Sequence, residues 1–166
     1  MVEEIRSRTI EKFGAQEWEK AVLTHQVHGH LGIYSLLGVK MGCLAVELLG
    51  ADASHPSISV LSFAGNVPPL SCMNDGLQVS TGSTLGRGLI TVSPEAPSRS
   101  AAQFSCGGKT IRLSLKAACE QRIQDDIRKA KEQFATTPAY WEAVRKAAIG
   151  YWSTWDRHEI FDIEQL

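Results

Sequence analysis

The run Leu31–Leu49 constrains this fold more than any other stretch, because it is apolar on every side of a helix and no face of it belongs in water. Lys40 and Glu47 interrupt it, which argues against a bilayer span and predicts a buried central helix. Gly38 and Gly42 lie four residues apart on one face, where the missing side chains let another backbone come close. Gly50 stands where a C-cap glycine is expected. A helix buried all round needs partners on all sides, and the rest of the chain must supply them.

Ahead of it, Ile5, Ile10, Phe13, Trp18 and Val22 recur at helical spacing through Glu3–Leu23, with a break at Gly14. Thr24–His30 reads as a turn into the central helix. After the polar link Ala51–Ser57, Ile58–Ala64 reads as a buried strand and Pro68-Pro69 as a loop. Ser71 is placed to cap a short helix at Cys72–Val79. A turn at Ser80–Gly88, a strand at Leu89–Ser93, and a hairpin of Ala101–Cys106 and Thr110–Leu115 around Gly107-Gly108 follow. Ala117–Phe134 and Pro138–Trp152 read as helices, the second with proline in its first turn. Trp155–Leu166 has no period, and its Trp155, Ile160 and Phe161 suggest docking on a surface or a neighbouring subunit. This order predicts one α+β domain over residues 1–166, a mixed β-sheet flanked by helices.

The 17 basic and 18 acidic residues leave a net charge of −1. No basic footprint for nucleic acid and no cationic face for a membrane follow from that balance. Met1–Lys12 is charged throughout and lacks the apolar core of a signal peptide. Cys43, Cys72, Cys106 and Cys119 form no C-x-x-C, and they read as reduced thiols of a cytoplasmic protein.

Chemistry concentrates in two segments. His28 and His30 flank one glycine at the entry to the central helix, where two imidazoles aim at one metal ion, or else cap the helix or bond a carbonyl. Cys72 opens the short helix, where free N–H groups favour a thiolate, or else it is an inert buried thiol. Asp75 and Gln78 share its face. Asp75 is a candidate general base or a carboxylate that orients a ligating histidine, or else a first-turn acid matched to the helix dipole. Gln78, Thr81, Gly82, Ser83, Thr84, Gly86, Arg87 and Gly88 offer amides, hydroxyls and a guanidinium for an oxyanion, or else a turn that needs positive φ. The sequence there is neither a Walker A loop nor a dinucleotide fingerprint. Trp141, Trp152 and Trp155 are residues for a core or an interface.

Taken together, the segments resemble the FmdE family of formylmethanofuran dehydrogenase proteins. That family is marked by H-G-H-x-C-P-G before a glycine-containing helix, then C-x-x-D-x-x-Q and T-G-C-T-x-G-K/R-G. The matching residues here are His28-Gly29-His30, Gly38, Gly42, Cys72, Asp75, Gln78, Thr81-Gly82, Thr84, Gly86, Arg87 and Gly88. The resemblance covers a core of about residues 20–135, with 136–166 a helical extension. It implies a thioredoxin-like core, a homodimer, a zinc-binding site and, for some relatives, a place beside a larger molybdenum or tungsten oxidoreductase. The carboxy-terminal zinc finger of many members is absent, since no cysteine follows Cys119. Gly32 and Ser83 stand where the family has cysteines, and Ile33-Tyr34 where it has Pro-Gly.

Two readings follow. In one, His28, His30 and Cys72 hold zinc (nickel, iron or copper by the same softness) with an open position beside a loop for a small anionic ligand. In the other, the chain is a non-catalytic accessory or small-anion module of an oxidoreductase, its metal site degenerate.

Overall fold

The computed structural model describes residues 3–51, 58–135 and 137–166. The polar link read at Ala51–Ser57 lies outside the described residues, Ala51 apart. Helices α1 (Glu3–Phe13) and α2 (Ala15–His28) lead into α3 (Ile33–Leu49). Then come β1 (Ser59–Ser62), a 3-10 turn at Leu70–Cys72, α4 (Met73–Thr81), a second 3-10 turn at Leu85–Arg87 and β2 (Ile90–Val92). The hairpin of β3 (Ala101–Cys106) and β4 (Lys109–Leu115) precedes α5 (Ala117–Phe134), α6 (Pro138–Thr154), α7 (Arg157–Ile160) and β5 (Phe161–Gln165).

The sheet runs β2-β1-β3-β4-β5. Its β1–β2 pairing is parallel and the other three are antiparallel, so the sheet is mixed, as the sequence predicts. Val60 opposes Phe104, which opposes Ile111 across the hairpin. All three are buried, the inward row that period-2 alternation requires. Among the described residues no helix is long and apolar enough to cross a membrane.

α3 is the centre of the molecule. Leu36, Leu37, Val39, Met41, Leu44 and Ala45 point in different directions around it and all are buried. Its glycine face meets α4 backbone to backbone. A Cβ on Gly38 would collide with the Met73 carbonyl, one on Gly76 with the Ser35 carbonyl, and one on Gly42 with Ser80 Oγ. This close crossing sets the first turn of α4 beside the entry to α3.

Several expectations change. Ser71 does not cap the short helix, whose N-cap is Cys72 with no side-chain cap bond. The segment Thr24–His28 is not a turn but the last turns of α2, closed by Gly29 at φ 84° with its N–H on the His25 carbonyl. The tail docks on the chain's own core and carries regular elements, and the extension is not helical to its end. Ile160 and Phe161 are buried in the core, with Trp155 partly buried against it, and β5 adds an edge strand, Leu115 opposite Phe161. The strand alternates too few apolar residues to announce itself in the sequence.

Candidate functional site

The last residue of α2 and the first turn of α4 meet. His28 Nδ1 lies 2.6 Å from Asp75 Oδ2, with the imidazole side chain only 9% exposed. A carboxylate only accepts, so in the neutral ring Nδ1 carries the proton and donates. Nε2 is then a bare lone pair, and it is buried with no hydrogen-bond partner. His28 thus has the setting that supporting carboxylates give to ligating histidines.

His30, two residues on, lies with its ring centroid 4.3 Å from that of His28. Burial, then the neighbouring His28 and His25, hold its pKa below the ordinary histidine value, which favours the neutral, electron-donating ring. Cys72 ends the 3-10 turn and stands at the N-cap of α4. The helix position does not make its thiol acidic: burial, followed by the charge of Asp75, pushes its pKa up despite a backbone hydrogen bond. Cys43, Cys72 and Cys119 are all free thiols, and burial pushes Cys43 up to about 12. His30 and Cys72 line one cavity of about 250 Å³ together with Gly32. A Cβ on Gly32 would sit 3.4 Å from His28 Nε2 and 3.0 Å from Ser35 Oγ, so Gly32 is the cavity residue that packs against the buried nitrogen.

As a metal site, the donors are right in kind, two imidazoles and a thiol, and His28 is prepared for one. Among the described residues, however, no three His, Cys, Asp or Glu side chains are gathered as one metal-holding group. The structure thus joins His28, His30 and Asp75 directly, and His30 with Cys72 across a cavity.

The Thr81–Gly88 segment spends its polar groups on itself and its neighbours. Thr81 Oγ1 donates to the Leu77 carbonyl and accepts from Ser83 N–H. Ser83 Oγ donates to the Ile58 carbonyl. Gln78 Oε1 accepts from Leu85 N–H, and Arg87 Nη1 donates to the Gly82 carbonyl. The Thr84 carbonyl accepts from Arg87 and Leu89 N–H, and Gly88 N–H reaches the Leu85 carbonyl. Gly82 and Gly88 hold φ of 72° and 66° as helix C-caps, and Gly86 lies within the second 3-10 turn. These bonds account for the residues as the joint between α4 and β2.

His25 stands near the paired histidines, and the sequence does not single it out. It sits one helical turn before His28, and that i,i+3 spacing is the signal that could have found it. Its Nδ1 is also buried without a partner. Trp141 of α6 also belongs here, standing edge-on to the His30 ring at 6.4 Å.

A family model described as FmdE, Molybdenum formylmethanofuran dehydrogenase operon, matches residues 27–162. Over 61 residues the chain is 36% identical to a probable S-adenosyl-L-methionine-binding protein of Archaeoglobus fulgidus, a stretch covering 37% of this chain and 17% of that relative. Among solved structures, a tungsten formylmethanofuran dehydrogenase FmdE-like protein from Syntrophus aciditrophicus is similar with a TM-score of 0.54 at 20% identity. That match covers 90% of this chain and 71% of the other, a likeness of fold.

Proposed function

This chain belongs to the FmdE family, and on that footing we propose that it binds a borderline-soft metal ion, zinc first, at the junction of α2, α3 and α4. His28 through Nε2 and His30 are the imidazole donors, with the Cys72 thiol from the adjoining cavity wall as the third. Nickel, iron and copper share the preference for this donor set. The observation that carries the reading is the buried, unpartnered Nε2 of His28. Leaving such a group unsatisfied costs about 1–3 kcal/mol, and an electron-pair acceptor at that nitrogen removes the penalty.

Each residue then has a role. Asp75 accepts the Nδ1 proton in a hydrogen bond, fixes the tautomer and aims Nε2; it is a positioning residue. The raised thiol pKa of Cys72 keeps it protonated until a cation is near, so metal uptake releases a proton there. Gly32 puts no side chain against Nε2, so a small shift at the entry to α3 is what admits the ion to this buried nitrogen. Bound zinc would supply a Lewis acid toward a small ligand in the cavity. Homodimerisation, a cytoplasmic setting and service to a larger oxidoreductase belong to the same proposal.

Elemental analysis of untagged protein, before and after zinc reconstitution, tests it. Near-stoichiometric zinc that is lost in His28→Ala and weakened in Cys72→Ser supports the reading. No retained metal after reconstitution overturns it. That outcome favours a second reading, a metal-free accessory or small-molecule module, supported by the ungathered third donor.

A further inference from the structure

Helix α6 carries two tryptophans with opposite fates. Trp152 is 1% exposed in the core, whereas Trp141 is 60% exposed. Trp141 is nonetheless held in place: it stands edge-on to Tyr140 at 5.1 Å and to His30 at 6.4 Å. It separates the 250 Å³ cavity from a second cavity of about 390 Å³, and with His30 and Val144 it lines both. The smaller cavity is walled further by Pro68, Pro69 and Tyr140. These are flat, stiff surfaces that lose little freedom when covered. None of the described residues lining it is a Lys, Arg, Asp or Glu. Arg145 and Glu142, at the neighbouring cavity, pair with each other at 3.5 Å. The chamber thus has aromatic walls, a nitrogen-and-sulfur end at His30 and Cys72, and no charged side chain to match an ion.

We infer that the occupant of this chamber is a small, flat, uncharged heteroaromatic compound, its ring against Trp141 and its heteroatoms toward His30 and Cys72. The inference rests on this cavity being the working site of the proposed function. Stacked or edge-on ring contacts favour a planar ligand over a saturated one of equal size. The imidazole and thiol at the polar end favour a ring with heteroatoms over plain hydrocarbon. Before any metal is bound, an anion finds no Lys or Arg among the described residues lining the cavity, and Arg87 is bonded to the Gly82 carbonyl in another loop.

Saturation-transfer NMR on the full chain tests this with three probes: nicotinamide, cyclohexanecarboxamide as the non-planar match, and benzoate as the flat anion. Nicotinamide should bind saturably with a Kd of about 1 mM or below, and the other two at least about tenfold more weakly. Trp141→Ala should weaken nicotinamide at least about tenfold, and Trp141→Phe should restore most of that loss. Equal binding of cyclohexanecarboxamide, indifference to Trp141→Ala, or no saturable nicotinamide signal would overturn the inference. So would a Trp141→Ala variant that turns a dimer into a monomer while no probe binds, which would make Trp141 an interface residue. Zinc uptake measured beside the same titration separates the two claims. In the unaltered chain, zinc uptake without saturable ring binding overturns this inference alone, and ring binding without zinc uptake overturns the metal reading alone.

Discussion

Two acid–base pairs lie at the two ends of α2, and they are finished differently. Near its start, Glu17 and Lys40 pair at 2.7 Å, each side chain 2% exposed. Arg157 takes the other Glu17 oxygen at 2.8 Å and also holds the Phe13 carbonyl. Lys40 Nζ lies over the rings of Phe13, at 3.7 Å, and Trp152, at 4.2 Å. Burial lowers the Lys40 pKa and Glu17 pushes it back. At the other end, His28 and Asp75 pair at 2.6 Å, but one ring nitrogen is left bare and Asp75 stays one-third exposed. The first cluster satisfies itself and locks the tail and α3 to α2. The second leaves one ring nitrogen without a partner, which the proposed function assigns to a metal ion. Full satisfaction marks structure, and a single prepared but unmade bond marks a site.

The largest effect should come from breaking the finished cluster. Lys40→Ala strands a buried carboxylate, and denaturant unfolding should show a loss of about 3–5 kcal/mol, toward the lower end because Arg157 remains. Gly38→Ala should follow at about 3 kcal/mol, because its new Cβ meets the backbone of α4, which cannot step aside as a side chain could. At the unfinished pair the balance reverses. Asp75→Asn should leave folding within about 1 kcal/mol, since the carboxylate is partly solvated. It should weaken zinc binding by about 10–100-fold in a competition titration.

The smallest effect concerns the tail. His158 bonds Glu47 at 2.9 Å and Asp156 at 2.8 Å, and its pKa is raised, first through Glu47. A raised folded value stabilises fully below the unfolded value of 6.5 and is lost as pH rises through the folded one. His158 is half exposed, so the contribution stays below about 1 kcal/mol. His158→Gln should flatten the fall in thermal stability above neutral pH; an unchanged slope would assign that fall to other groups.

Much of the scaffold is legible in the residues. The apolar run with Gly38 and Gly42 dictates a central helix with a close neighbour, and Gly107-Gly108 places the hairpin. The site residues His28, His30, Cys72 and Asp75 stand out by chemical type, and a carboxylate at Asp75 is suited to orient a histidine. Long-range partners do not show. Charged Glu17 and Lys40 look like solvated helix residues until the fold buries them against Arg157, far along the chain. The hydroxyls of Thr81 and Ser83 look available until Leu77 and Ile58 carbonyls take them. β5 is a short edge strand with only one buried residue, Phe161, so periodicity has too little to report. Trp141 and Trp152 are the same residue type on one helix, and only packing distinguishes wall from core.

The central claim is that His28 presents a bare Nε2 to a metal ion, and the imidazole ¹⁵N shifts of His28 before and during zinc titration test it most directly. The account predicts the Nδ1–H tautomer in the free protein, with an Nε2 signal that moves to a zinc-bound position and saturates at one equivalent. A ring that carries its proton on Nε2, or an Nε2 signal indifferent to zinc, would contradict it.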